Sequence, residues 1–257
     1  MYDSIAGFYN RYTNDIDYDK VAEFAENLFR KFGLPPRSDG GSVPLILDIA
    51  CGTGVLTCML AERGNEMVGL DISEDMLYEA RERALGKNLD ILWLCQDMCK
   101  MDMFGTVSAM ICVTDGINHI TTVNRLEKFF MRIRNFIDDD GLFLFDVLSE
   151  KYFSEVVGSN VFFDDREDGS CLWTSKYNEA KRICKYDVIF YELADSDSGL
   201  YERYDDTVTE KAWTDGEITT AVGKAGFSVE GIFNGATLKK ADKNSLRKFF
   251  LIRKTLL

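Results

Sequence analysis

The chain has 257 residues, 46% of them hydrophobic and 12% aromatic, enough for one α/β domain with an insertion or small cap, and for a core that needs no staples. Its 43 acidic against 30 basic residues leave a formal net charge of −13, a field that repels a phosphate backbone or an anionic membrane surface. The basic clusters at Arg132/Arg134, Lys239–Lys240 with Lys243, and Arg247–Lys248 lack the interleaved aromatics of an RNA-binding face, so neither a nucleic-acid nor a membrane partner is expected.

In chain order, Met1–Asp15 shows no basic and apolar leader pattern, and no apolar run approaches membrane-spanning length, which points to a soluble cytoplasmic protein. From Asp17 to Phe32 the apolar residues Val21, Phe24, Ala25, Leu28 and Phe29 recur at helical spacing. The turn-rich stretch Gly33–Pro44 ends that helix, so residues 1–44 form an N-terminal segment, a helix and a linker. Leu45–Ile49 reads as a buried parallel strand, Val55–Glu62 as a helix and Glu66–Leu70 as a second strand. Ser73 looks like an N-cap with Met76, Leu77 and Ala80 behind it. Asp90–Leu94 and Val107–Val113 are the third and fourth strands, and Val123–Ile137 is an amphipathic helix. The acidic triplet of Asp138–Gly141 reads as a solvated turn before a fifth strand, Leu142–Asp146. From Val161 to Trp213, Gly and Asp/Ser turns separate runs of Tyr, Phe, Val, Ile and Thr, the pattern of an antiparallel meander. Thr214, ahead of Glu217, caps a helix to Ala225, and Ser228–Phe233 and Arg247–Arg253 are the last strands. Alternating strand and helix units imply a doubly wound α/β sheet of about seven strands carrying an antiparallel β insertion, with ligands at the carboxyl ends of the strands.

The seven cysteines are odd in number and scattered, and Cys95 and Cys99 find no second ligand pair in a chain with one histidine. Free thiols in a reducing compartment are expected, and no metal.

The stretch Leu47-Asp48-Ile49-Ala50-Cys51-Gly52-Thr53-Gly54 follows a strand and opens a helix, and its glycines allow a tight turn and close approach to a ligand. Asp71 ends the second strand, about 20 residues on, where a carboxylate accepts from both ribose hydroxyls. At the end of the third strand, Gln96-Asp97-Met98 offers Asp97 to an adenine amine. A dinucleotide site wants a third glycine where Thr57 stands, and Asp48 suits the cationic amino-acid end of S-adenosylmethionine (SAM) better than a pyrophosphate.

These stretches, L-D-I-A-C-G-T-G, V-G-L-D-I-S-x-D-M-L and C-Q-D-M, resemble the cofactor motifs of class I SAM-dependent methyltransferases. The opening Tyr2–Asn10 and the run Thr114–His119 narrow the likeness to bacterial small-molecule methyltransferases with an inserted antiparallel sheet, a group that includes amino-sugar N,N-dimethyltransferases. The resemblance implies a Rossmann-like SAM domain over residues 45–159 and 214–257, with 160–213 as a substrate cap. It puts Ala50, Cys51, Gly52 and Gly54 against SAM, Asp48 near its amino-acid end, and Asp71 on its ribose. Ile72 or Met76 would face the adenine, Gln96, Asp97 and Met98 its edge, and Val113 the end of the fourth strand. One departure is Ala50, where the family pattern usually has glycine. Tyr9, with Tyr2 and Tyr12, would fold as a lid.

Methyl transfer from a sulfonium is an in-line displacement that asks the protein to align the acceptor, exclude water and take a proton. The candidates beside the fourth strand are His119 as base or orienting group, with Asp115 and Asn118 as substrate hydrogen-bonders. Among the insert aromatics Trp173, Tyr177, Tyr191, Tyr201, Tyr204 and Trp213, one or two are expected to line the acceptor pocket. The expectation is a SAM-dependent methyltransferase acting on N or O of a small molecule, as a monomer or homodimer. The alternatives are an RNA or protein methyltransferase, a SAM-binding regulator without turnover, and a nicotinamide-dependent oxidoreductase.

Overall fold

The computed structural model describes residues 16–34, 43–195 and 199–255. Tyr2, Tyr9 and Tyr12 and most of the expected linker lie outside these described residues.

The sequence rhythm becomes a seven-stranded sheet. Its strands are β1 (Leu45–Ile49), β2 (Glu66–Asp71), β3 (Leu92–Cys95), β4 (Val107–Cys112) and β5 (Ile137–Leu148), followed late in the chain by β10 (Phe227–Asn234) and β11 (Arg247–Lys254). The order across the sheet is β10-β11-β5-β4-β1-β2-β3. The first five strands are parallel, and β11 runs antiparallel between β5 and β10. Successive residues of a strand face opposite sides, which divides the core in two. Leu47, Ile49, Met110, Phe143 and Phe145 pack with helices α4 (Val123–Phe136) and α5 (Asp215–Lys224). Ile46, Ala109, Ile111, Leu142 and Leu144 pack on the other side with α1 (Tyr18–Lys31), α2 (Val55–Glu62) and the end of α3 (Glu74–Gly86). On the first side Phe145 stacks on Phe250 with ring centroids 5.3 Å apart and meets Phe130 at 5.4 Å.

Local chemistry sets the helix boundaries. The Ser73 side chain accepts from the Met76 N–H, and Thr214 with Glu217 makes a full capping box, so orphan donors at both helix starts find acceptors. The acidic triplet is a bulge within β5. Val107 pairs with Ile137 and Ala109 with Leu142, which pushes Asp138–Gly141 out opposite Ser108. The Asp138 carboxylate accepts from the hydroxyls of Thr106 and Ser108 there, and Asp140 turns the chain at φ +61°.

The insertion is a separate antiparallel sheet of β6 (Val161–Arg166), β7 (Gly169–Asn178), β8 (Ile183–Asp195) and β9 (Leu200–Lys211), paired in chain order. Its base rests on the main domain through Leu148, Phe153, Val157, Cys184 and Ala212. Trp213, at the return, is buried and donates its indole N–H to the Ile120 carbonyl at 2.9 Å. No helix among the described residues is long and apolar enough to cross a membrane.

Candidate active site

A cavity of about 330 Å³ opens at the carboxyl ends of β1, β2 and β4, walled by residues of the glycine-rich loop, Asp71–Ile72, Met76, Gln96–Met98, Val113–Thr114 and His119. That is where a doubly wound sheet places its ligands. The loop is shaped by backbone strain. Ala50 and Gly52 both have φ +55° and Gly54 has φ +69°. Ala50 holds a left-handed conformation that costs a residue with a Cβ about 1 kcal/mol or more.

Asp71 is nearly buried and fixed from two sides. Gly52 N–H donates to its Oδ2 at 2.8 Å and Ser73 N–H to its Oδ1 at 2.9 Å, and the Ile72 backbone adds to them, with acceptor capacity left for a ligand. Burial raises its pKa despite these donors. Asp48 is buried under the loop, and the Thr57 hydroxyl donates to its Oδ2 at 2.6 Å. Desolvation pushes its carboxyl up to about 7 against that hydrogen bond, with the Asp71 charge adding to the rise. An anion held this way is stabilised most by a cation.

A family model for a methyltransferase domain matches residues 46–141. The chain is 28% identical to the methyltransferase-class protein YqeM of Bacillus subtilis over 256 residues, covering 99% of this chain and 98% of that relative. Its fold superposes on an S-adenosylmethionine-dependent methyltransferase from Clostridium acetobutylicum with a TM-score of 0.86, at 23% identity and 99% coverage of both chains. The chain carries a methyltransferase domain, on the fold of SAM-dependent methyltransferases. The sugar N-methyltransferase KedS8 from Streptoalloteichus sp. shares the methyltransferase's fold with a TM-score of 0.76 at 17% identity, over 100% of this chain and 93% of that one.

The structure brings together Asp48, Ala50, Cys51, Gly52, Asp71, Ile72, Met76, Gln96, Asp97, Met98, Val113 and His119 on one cavity. Gly54 is not on its wall. A Cβ there would lie 2.7 Å from Trp93 and 2.8 Å from Ala80, so this glycine serves close packing. Gln96 spends its amide on the Asp102 backbone in both directions, at 2.7 and 3.1 Å. Asp97 accepts from Cys99 N–H at 2.9 Å and faces Arg125 at 3.4 Å. Arg125 and Tyr18, which the sequence reading passed over, also line the cavity.

The 114–119 stretch divides its roles. Thr114 (φ +65°) and Asp115 (φ +64°) are both left-handed, and the Asp115 N–H donates to Asp146 at 3.0 Å. This sharp turn starts the short helix Gly116–His119, which presents His119 to the cavity. Asp115 and Asn118 do not line it. Asn118 is buried with its amide donating to the carbonyls of Leu148 (3.1 Å) and Lys211 (2.9 Å) and accepting from Leu148 N–H (2.9 Å). It ties the inserted sheet to β5 instead of facing a substrate. Asp115 pairs with Arg247 at 3.0 Å, and Arg247 also pairs with buried Asp146. None of the six insert aromatics named from the sequence lines the cavity. The residue the insertion sends toward His119 is Glu210, whose Oε1 lies 3.7 Å from His119 Nε2.

Proposed function

We propose that the protein transfers the methyl group of SAM to a nitrogen or oxygen atom of a small-molecule acceptor held between the carboxyl end of β4 and the inserted sheet. The observation that carries this reading is that Asp48, Asp71 and His119 line one cavity, with Glu210 of the inserted sheet 3.7 Å from His119 Nε2. The donor set fits SAM. Asp48 favours a cation and meets the ammonium of the amino-acid end, while Asp71 keeps lone pairs for two ribose hydroxyls. Ile72, Met76 and Met98 give a flat base an apolar slot. When bound, SAM supplies a methyl already activated on a sulfonium, so the chain's own residues need only align the acceptor, exclude water and take a proton.

Burial lowers the His119 pKa against the opposing pull of Asp115 and Asp71, which keeps the imidazole neutral near pH 7 and able to accept a proton. Asp48, Asp71 and Asp97 give the cavity an acidic wall, which favours an acceptor that arrives as a cation, and an amine meets that demand. The test is thermal stabilisation by SAM, S-adenosylhomocysteine and NAD in parallel. Shifts with the first two and none with NAD are expected, and a shift with NAD alone overturns the reading. Labelled SAM offered with amines, amino sugars and hydroxy acids then identifies the acceptor class, with label expected in the amines.

A further inference from the structure

Strand β9 turns Tyr204, Asp206, Val208 and Glu210 inward by its alternation, and Glu210 sits at the buried end of that row. Its carboxyl meets three elements. It lies 3.7 Å from His119 Nε2, and Tyr186 on β8 and Asp115 at the start of the short helix act on its carboxyl. The donor atoms of Asp115, His119 and Glu210 all fall within 4.8 Å of one another. Behind Asp115 stands Arg247 of β11, which also holds Asp146 of β5. Asp71 acts on the imidazole from β2, and Cys184 of β8 lies across the strand pair from Glu210. Burial, then the Asp115 charge, pushes the Glu210 pKa well above the usual carboxylate range, which favours its protonated form beside an imidazole whose pKa burial lowers. A divalent cation would have to displace both that proton and Arg247, which makes a proton the better occupant of the trio.

We propose that Glu210 is a positioning residue of the transfer site, holding the His119 imidazole at the cavity wall and passing the acceptor's proton through Asp115 to solvent. The proposal rests on the amine reading above, because an ammonium must lose a proton before its nitrogen can attack. The acceptor N–H bond breaks with its electron pair left on nitrogen, and a new N–H bond forms on the imidazole. The imidazole N–H facing Glu210 passes to Oε1, the Glu210 O–H passes to Asp115, and Asp115, partly exposed, releases the proton to water. Each bond broken is matched by one formed; the trio returns to its starting charge with the imidazole proton on its other nitrogen, and proton exchange with solvent resets the tautomer before the next turnover. A cavity closed against water needs such a route.

His119 is the chain's single histidine, so ¹⁵N labelling of histidine reports one imidazole without assignment. In Glu210→Gln the balance of the two neutral His119 tautomers is expected to change, while the titration midpoint, set first by burial, moves little. With an amine acceptor, kcat is expected to fall by about tenfold or more while the KM for SAM holds. A folded E210Q protein with the parent's tautomer balance overturns the proposal. If E210Q does not fold, the intact protein decides. A two-step, coupled titration of its imidazole supports the pair, and a single step at the ordinary midpoint overturns it. The NMR measurement needs neither SAM nor acceptor. Coupling seen by NMR without any amine methylation would therefore strike the amine reading and leave the Glu210–His119 link standing.

Discussion

The Thr57 hydroxyl donates a 2.6 Å hydrogen bond to the buried carboxylate of Asp48. In the sequence Thr57 is informative only as the place where a dinucleotide site would want glycine; in the fold it is the group that helps keep Asp48 ionised. A hydrogen bond to a buried charge contributes roughly 1.5–3 kcal/mol. Thr57→Val keeps the shape and removes the donor, which raises the Asp48 pKa further and leaves less carboxylate for the ammonium of SAM. SAM affinity at pH 7.5 is expected to drop by about tenfold or more, read by titration calorimetry. An unchanged Kd in T57V would remove Asp48 from the amino-acid end of the site.

The same carboxyl sets a pH dependence. Its pKa of about 7 in the folded protein lies above the ordinary carboxylate value, so its contribution to stability is present at low pH and lost as pH rises through about 7. Ligand-free protein is therefore expected to lose stability from Asp48 between about pH 4 and pH 7. SAM, which needs the carboxylate, is expected to bind more tightly over that interval and to release a proton on binding. Calorimetry in two buffers of different ionisation enthalpy measures that proton. Asp48→Asn should abolish both the release and the pH trend, and a release that survives in D48N assigns the proton to another group.

The two loop glycines separate binding from stability. A methyl on Gly52 meets nothing within 4 Å, whereas one on Gly54 runs into Trp93 and Ala80. Gly52→Ala is expected to cost about 1–2 kcal/mol through its left-handed backbone and to weaken SAM binding by projecting into the cavity. Gly54→Ala combines that strain with overpacking, a loss of about 2–4 kcal/mol in urea denaturation. Equal losses of stability in the two variants would contradict this division.

Much of this was legible because it depends on short-range rules. The helix caps at Ser73 and Thr214, the alternation that buries β1 and β4, and the carboxylate at the end of β2 each follow from a few neighbouring residues. Glu210 does not. On β9 it sits among Glu202, Asp205 and Asp206, and reads as one more solvated acid. Only its shared parity with Val208 marks it as inward, and only the docking of the insertion brings it to His119, 91 positions earlier in the chain. Gly54 and Asn118 lie off the cavity wall for a different reason. Their residue types suit a ligand site, but Trp93 and two strand-end carbonyls, distant in sequence, claim them first.

Asn118 gives the last test. Its amide satisfies the Leu148 N–H and the carbonyls of Leu148 and Lys211 at the seam between the main sheet and the insertion. Asn118→Ala leaves those buried groups unpaired, and about 2–4 kcal/mol of stability is expected to go with them. Because the seam also carries Glu210, loosening it should slow methyl transfer while Asp48 and Asp71, on β1 and β2, keep SAM bound with nearly the parent Kd. Asn118→Asp should be worse than the alanine, since it sets a carboxylate against two carbonyl oxygens. Urea denaturation and SAM titration on the two variants separate these effects. A stable N118A protein with an acceptor KM raised alone would return Asn118 to the substrate-binding role its residue type suggests.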